Sequence, residues 1–395
     1  MLSAFFRFNY AVLGLFILLS TSTACAITAS AAPSGKYSSL LSLVQKHKFA
    51  ELDKQLNQLQ TAYEAGKIGD VDLAEAFYTV SGTQSIPDAF YDEWVIRYPG
   101  SYAARVVRGE HFKRQGLLAR GAKSARATPK ESMDKMQAYF DQAVPDFQAS
   151  LQMAHKPVIS YLDLLDLSSR VATSEENRAL FDEGLKAAPD SFVLRRKYMR
   201  VLETRWGGSL DDMTRFLGEC KGTGLTPSQM NILQAMVYQE SGWLAVQGKQ
   251  PQAALPLLSK AADLFAGQER LLEPGAAAEV LGQIAYINLQ DKRNEEALLW
   301  FNRAIGQIGD CFYCSYLYAN RGLIHERLQQ FDEALLDYMT AADLGNTYAL
   351  NRLGHIYTYG EHVPQDKAKG TDYYSRAVAI EMASAPAKAQ PPGKQ

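Results

Sequence analysis

The chain has 395 residues, 47% of them hydrophobic and 21% charged, and a formal net charge of −2. These are ordinary globular values, sufficient for a sizeable core in one elongated array or in two domains. The near-neutral balance gives no sign of a nucleic-acid binder.

The first thirty residues differ from the rest. Arg7 precedes an apolar run from Ala11 to Leu19, followed by small residues and several alanines. That is the layout of a secretory signal peptide over 1–31, with cleavage after Ala24, Ala26 or Ala31. The run is too short for a convincing membrane span. Ser22-Thr23-Ala24-Cys25 resembles a degenerate lipobox, in which a lipid on Cys25 would anchor the protein to the membrane. The bulky aliphatic residue usual three positions before that cysteine is missing.

From Tyr37 to about Gly222 the chain shows helical spacing, as in Phe49, Leu52, Leu56, Leu59 and Tyr63, without clean repeats. A helical domain over 37–222 is expected. Two aromatic motifs stand beside helix breakers: Trp94 before Pro99-Gly100, and Arg205-Trp206 before Gly207-Gly208. Trp94 and Trp206 either line a groove or seal hairpin ends against the core. Between Arg105 and Lys135 lie nine cations (Arg105, Arg108, Lys113, Arg114, Arg120, Lys123, Arg126, Lys130 and Lys135) against Glu110, Glu131 and Asp134. Such a segment is either a patch for an anionic envelope surface or a solvated helix face with a basic loop.

Beyond it a pattern repeats over 228–381. A small residue is followed twelve positions later by an alanine, and that by another seven later: Gly242, Ala254, Ala261; Ala285, Ala297, Ala304; Gly322, Ala334, Ala341. Antiparallel helices approach closely only where side chains are short. Bulky residues such as Tyr238, Leu281, Tyr318, Phe301 and Tyr338 would fill the space around them. In a fourth unit Gly354 reaches Gly370 after sixteen positions and Ala377 after seven more. The extra residues fall in Tyr359-Gly360-Glu361-His362-Val363-Pro364-Gln365-Asp366, where glycine and proline end one helix and delay the next. This spacing predicts an all-α helical-hairpin solenoid. The final stretch, 383–395, has the composition of a disordered tail.

Leu353-Gly354, Tyr357, Gly360, Val363, Gln365-Asp366, Tyr373-Tyr374 and Ala377 together resemble a Sel-one-like repeat, and the three units before it resemble tetratricopeptide repeats. The resemblance implies a right-handed α/α superhelix and is nearly silent on function. The motifs of 37–222 are similar to a bacterial domain of unknown function associated with exported Sel-one-like proteins. That implies a bacterial periplasmic location.

Three cysteines follow the leader: Cys220, Cys311 and Cys314. The Cys311-Phe312-Tyr313-Cys314 pair fits a redox pair, half a metal site or a short disulfide. A local disulfide is the preferred reading, because strand-helix-strand context and further close ligands are both absent, and it leaves Cys220 unpaired. There is no phosphate loop, nucleophile elbow or zinc-protease motif, so no catalytic residue, cofactor or metal is expected. Of six histidines, His325 and His355 fall on first helices of adjacent repeats, where they either approach one another or pack separately. Trp94, Arg120, Trp206, His325, His355 and Tyr357 are the candidate binding surface. The expected function is protein or peptide binding as a scaffold in the cell envelope. The alternatives are an immunity protein against a delivered toxin, and a cell-wall-related hydrolase or wall- or lipid-binding protein.

Overall fold

The structure, a computed structural model, describes residues 36–82, 86–121, 128–307 and 314–384. The expected signal peptide with Cys25, the segment holding Cys311 and nearly all of the expected tail lie outside them. Among the described residues there are eighteen α-helices and no strand, so the chain is all-α as expected. No helix among them is long and apolar enough to cross a membrane.

Two compact units are present, and the division falls inside one helix, between Glu240 and Ser241. The first unit holds α1 (Ser38–Gln45), α2 (Phe49–Glu64), α3 (Asp70–Ser81), α4 (Asp88–Arg97), α5 (Tyr102–Arg120), α6 (Lys130–Ser150), α7 (Val158–Ser168), α8 (Ser174–Ala187), α9 (Phe192–Val201), α10 (Leu210–Glu219) and most of α11 (Pro227–Gln247). The second holds the end of α11, then α12 (Pro251–Phe265), α13 (Ala276–Gln290), α14 (Asn294–Gly306), α15 (Cys314–Arg327), α16 (Phe331–Asp343), α17 (Thr347–Tyr359) and α18 (Lys367–Ser384).

Side-chain caps open several helices. Thr173 and Glu176 form a reciprocal capping box on α8, and Ser191, Ser209 and Asn346 accept from the first turns of α9, α10 and α17. One connection recurs between helices. His47, Lys249, Lys292 and Gln329 all have positive φ, between 52° and 62°, and in each case the next helix begins two residues later. Their N–H groups donate three residues back, as Lys292 does to the Leu289 carbonyl at 3.1 Å. The following N–H donates five back, as Arg293 does to Asn288 at 3.0 Å. This left-handed cap satisfies the last carbonyls of one helix and reverses the chain. The α1–α2 pair shares it with α11–α12, α13–α14 and α15–α16.

Packing follows the small-residue register. A Cβ on Gly242 would stand 2.7 Å from the Leu258 side chain, and one on Gly322 3.0 Å from the Tyr338 ring, the partner lying sixteen residues on in both cases. In the fourth hairpin a Cβ on Gly354 would meet the Tyr374 ring at 2.8 Å, and one on Gly370 would lie 2.9 Å from the Gly354 carbonyl. The two glycines therefore face each other where α17 and α18 cross. Gly360, in the left-handed region at φ 72°, ends α17, and the Asp366 N–H returns to the Tyr357 carbonyl at 2.8 Å. The long loop is thereby folded onto its own helix.

The region read as lacking clean repeats contains a hairpin of the same kind. In α5–α6 a Cβ on Gly116 would meet the Phe140 ring at 2.8 Å and the Met136 carbonyl at 3.0 Å, and Ala143 is fully buried seven residues after Met136. Around these helices the first unit buries aromatic clusters. Phe49 stacks on Phe90 at 4.8 Å, and Phe181, Tyr198 and Phe216 meet at 4.3 to 5.3 Å.

Candidate functional site

In the second unit the first helix of each hairpin (α13, α15, α17) presents a different surface from the second (α14, α16, α18). Among the described residues the exposed aromatic side chains are Tyr286 on α13, and Tyr348 and Tyr359 on α17. The second helices expose aliphatic residues, Leu299, Leu336 and Val378. Helical geometry explains the positions. Tyr286 and His355 each follow the small residue that faces the second helix, Ala285 or Gly354, and so turn off the hairpin seam. Exposed tyrosines are amphipathic and lose little entropy on contact, which is why they are enriched at interfaces.

Polar side chains between these hairpins are held in place. Arg321 forks onto Asp337 with both contacts at 2.7 Å and reaches Asn302 at 2.8 Å. Arg352 binds Glu326 and also Glu361 at 2.9 Å, while the Tyr338 hydroxyl donates to Glu326 at 2.7 Å. The network thus ties α14, α15, α16, α17 and the long loop together. Burial would raise the Glu326 carboxyl, but donation from Arg352 and Tyr338 outweighs it and holds the group below its usual range. Donation to Glu326 is in turn the main influence raising Arg352.

The two histidines are held separately. His325 meets Gln330 at 2.7 Å through Nδ1 and is mostly buried, whereas half-exposed His355 lies 3.2 Å from Glu361 and tilts over Tyr359. Between them runs the Glu326–Arg352 pair. Tyr357 is almost buried, stacked 5.8 Å from Tyr373 with Lys369 over its ring at 4.0 Å. The first-helix face therefore includes His355, while the tyrosines that share it were not singled out in the sequence.

The other candidates lie in the first unit. Trp94 is fully buried, and its indole N–H donates to Asp53 at 2.9 Å, so it packs and has no surface to offer a ligand. Trp206 is partly exposed in a short 3-10 turn (Thr204–Trp206), with the Arg170 guanidinium 5.1 Å over its ring. Arg120, the last residue of α5, is half-buried and engaged. Cys314 is buried at the start of α15, and its proposed partner Cys311 lies outside the described residues. Cys220 is a buried free thiol, pushed up to about 11 by that burial.

The basic segment does not form a continuous free patch. Arg105 and Arg108 both bind buried Asp146, at 3.0 and 2.7 Å. Lys113 lies buried among Glu110, Asp163 and Asp166 at 2.7, 2.7 and 3.5 Å, and exposed Lys130 and Lys135 pair with Asp134 and Glu131 on their own helix. Counting charge along the sequence omitted the acids supplied by α6 and α7. Lys123 and Arg126 lie outside the described residues. In the Lys113 cluster burial, then the neighbouring Asp163 charge, drives the Glu110 carboxyl well above its usual range. Asp166 is held well below its own, because Lys197, Lys113 and Arg170 outweigh the cost of burial.

No protein-family model matches the chain, and no curated protein matches it in sequence. Solved structures similar to it include a TPR protein and a protein with an SLR fold. YrrB, described as a TPR protein with an unusual peptide-binding site, is 19% identical over 52% of this chain and 96% of its own, with a TM-score of 0.28. The protective antigen c5321 of uropathogenic Escherichia coli, which displays an SLR fold, is 16% identical over 86% of this chain and 79% of its own, with a TM-score of 0.37. Human IFIT1, as a monomeric mutant with Gppp-AAAA, is 10% identical over 87% of this chain and 80% of its own, with a TM-score of 0.44. At likenesses this distant, the helical-hairpin description of the chain rests on its own register and packing.

Proposed function

We propose that this chain is an exported helical-repeat protein that binds a protein or peptide of the cell envelope through the first-helix face of its second unit. The observation that carries the reading is that, among the described residues, the exposed tyrosines fall on first helices of the second unit, whose Arg321 and Arg352 side chains are already fixed by the Arg321–Asp337 and Glu326–Arg352–Glu361 pairs. Prior fixation lowers the entropy that a partner must offset on docking. Exposed rings on such a surface are the usual anchors of binding energy. The leader pattern around Ala11 to Leu19 supports export, and a lipid on Cys25 is the anchored form of the same proposal.

The test is crosslinked affinity capture from the native envelope fraction, comparing the parent chain with a Tyr286→Ala, Tyr359→Ala double variant of unchanged helicity. Loss of one dominant protein from the variant capture supports the reading, and a toxin as that protein would make the chain an immunity factor. Equal capture by both forms would move the binding surface elsewhere.

A further inference from the structure

The last helix, α18, repeats the packing register of α14 and α16, but no hairpin follows it among the described residues. Phe301, Tyr338 and Tyr374 each stand four residues after a small marker, Ala297, Ala334 or Gly370, and are therefore equivalent. Phe301 and Tyr338 are fully buried. The next first helix reaches Tyr338, whose ring is met edge-on by Tyr348 with centroids 6.2 Å apart. Tyr374 is only partly buried. Four residues further along each helix, Ala342 is 1% exposed, whereas its equivalent Val378 is 47% exposed, and Met382 beyond it is 73% exposed. The open face of α18 is thus the one that joins hairpin to hairpin elsewhere in this unit.

A shallow depression on that face is lined by Thr371, Tyr374, Ser375, Val378, Ala379 and Met382. Their spacing of three and four residues keeps them in one stripe along the helix. None is charged, and the Thr371 hydroxyl already donates to the Lys367 carbonyl at 2.9 Å. Exposed apolar side chains gathered on one surface mark an interaction site. Residues 385–395 include three prolines and no valine, leucine, isoleucine, methionine or aromatic residue, so they do not supply a covering helix.

The order of residue sizes identifies the occupant. Paired antiparallel with itself about a point midway between Ser375 and Val378, the stripe sets Thr371 opposite Met382, Tyr374 opposite Ala379, and Ser375 opposite Val378. Each pair places a larger side chain against a smaller one, which lets two helices interdigitate closely. We propose that this face is a homodimer interface, on which α18 of a second copy of this chain packs antiparallel across a two-fold axis. Such an isologous contact closes on itself. The stripe is about 16 Å long at 1.5 Å per residue, which makes a small interface with dissociation in about the micromolar range. The interface does not depend on what the tyrosine face binds.

Sedimentation velocity of the full chain, from about 0.5 to 200 μM, should show a monomer–dimer equilibrium. Val378→Asp and Met382→Glu should each weaken it by about tenfold or more, because each would bury an unpaired carboxylate. Both side chains are exposed in the single chain, so helicity should not change. Leu336→Glu, at an exposed position on α16, should leave the equilibrium as it is. Disulfide trapping reads the register. A Ser375→Cys chain mixed with a Val378→Cys chain should give a crosslinked dimer, whereas Thr371→Cys alone should not, since its two copies would lie too far apart. The proposal is overturned by a chain that stays monomeric throughout, by a dimer that Val378→Asp and Met382→Glu leave intact, or by Thr371→Cys crosslinking in preference to the mixed pair. A photo-crosslink from Val378 to a different protein, with none to a second copy, would overturn it as well.

Discussion

The close helix crossings of the second unit predict a graded response to one chemical change, glycine to alanine. In a helix that change gains about 1 kcal/mol of propensity. At Gly322 the added Cβ meets Tyr338 ring carbons at 3.0 Å and the Ala334 carbonyl at 3.3 Å. The ring must give by a few tenths of an ångström, at about 1 kcal/mol, and Gly322→Ala should be nearly neutral. At Gly354 the Cβ would stand 2.8 to 2.9 Å from the Tyr374 ring, which is only partly buried and can swing. A crowding term of about 2 kcal/mol leaves a net loss of about 1 kcal/mol. At Gly370 the nearest atom is the rotatable Thr358 hydroxyl, but behind it stand the Gly354 carbonyl and the Thr358 backbone nitrogen, each at 2.9 Å. Backbone cannot rotate away, so α18 must lift, at about 3 kcal/mol or more for a net loss of about 2 kcal/mol. Urea denaturation of the full chain, followed by far-ultraviolet ellipticity, measures the series. A Gly370→Ala protein as stable as the parent, alongside a Gly322→Ala protein that loses 2 kcal/mol or so, would refute the assigned crossing geometry.

Three further outcomes follow from single residues. Lys292 sits at φ 60°, so Lys292→Gly should stabilise by about 0.5–1 kcal/mol in the same denaturation assay despite glycine's usual penalty. Asp163 is wholly buried against Lys113, and Asp163→Asn removes one of that ammonium's carboxylates while Glu110 and Asp166 remain, so it should cost about 1–3 kcal/mol. Glu110 has its folded value raised well above 4.5, so its contribution is fully present below the unfolded value and is lost as pH rises through the folded one. Glu110→Gln cannot ionise. Its stability relative to the parent should therefore climb above about pH 4.5, by up to roughly 1.4 kcal/mol per pH unit, and a flat difference between pH 5 and 8 would contradict the assignment.

The hairpins of the second unit were legible because glycine and alanine mark helix crossings at fixed spacing, and the longer fourth loop announced itself through Gly360 and Pro364. The α1–α2 hairpin escaped the same reading because Leu40 and Leu52 occupy its marker positions, although the turn at His47 is the one found at Lys249, Lys292 and Gln329. In α5–α6 the spacing is stretched to twenty residues and Met136 replaces the alanine, so no local pattern survives. Charge was the least legible property. Arg105, Arg108 and Lys113 were expected at the surface, in a patch for an anionic partner or on a solvated helix face, because Asp146 and Asp163 come from helices distant in sequence. Trp94 and Trp206, similar as motifs, separated only in three dimensions, one sealed in the core and the other beside Arg170. Tyr286 was within reach of the sequence, since the residue after each small marker must turn away from the seam.

The binding claim is tested most directly by placing a photo-crosslinking amino acid singly at Tyr286, Tyr348, Tyr359, Leu299 and Leu336 in the exported protein and irradiating intact cells. The first-helix positions should yield one crosslinked protein in common, with none at Leu299 or Leu336. Crosslinks confined to those two leucines, or absent at all three tyrosines, would contradict the account.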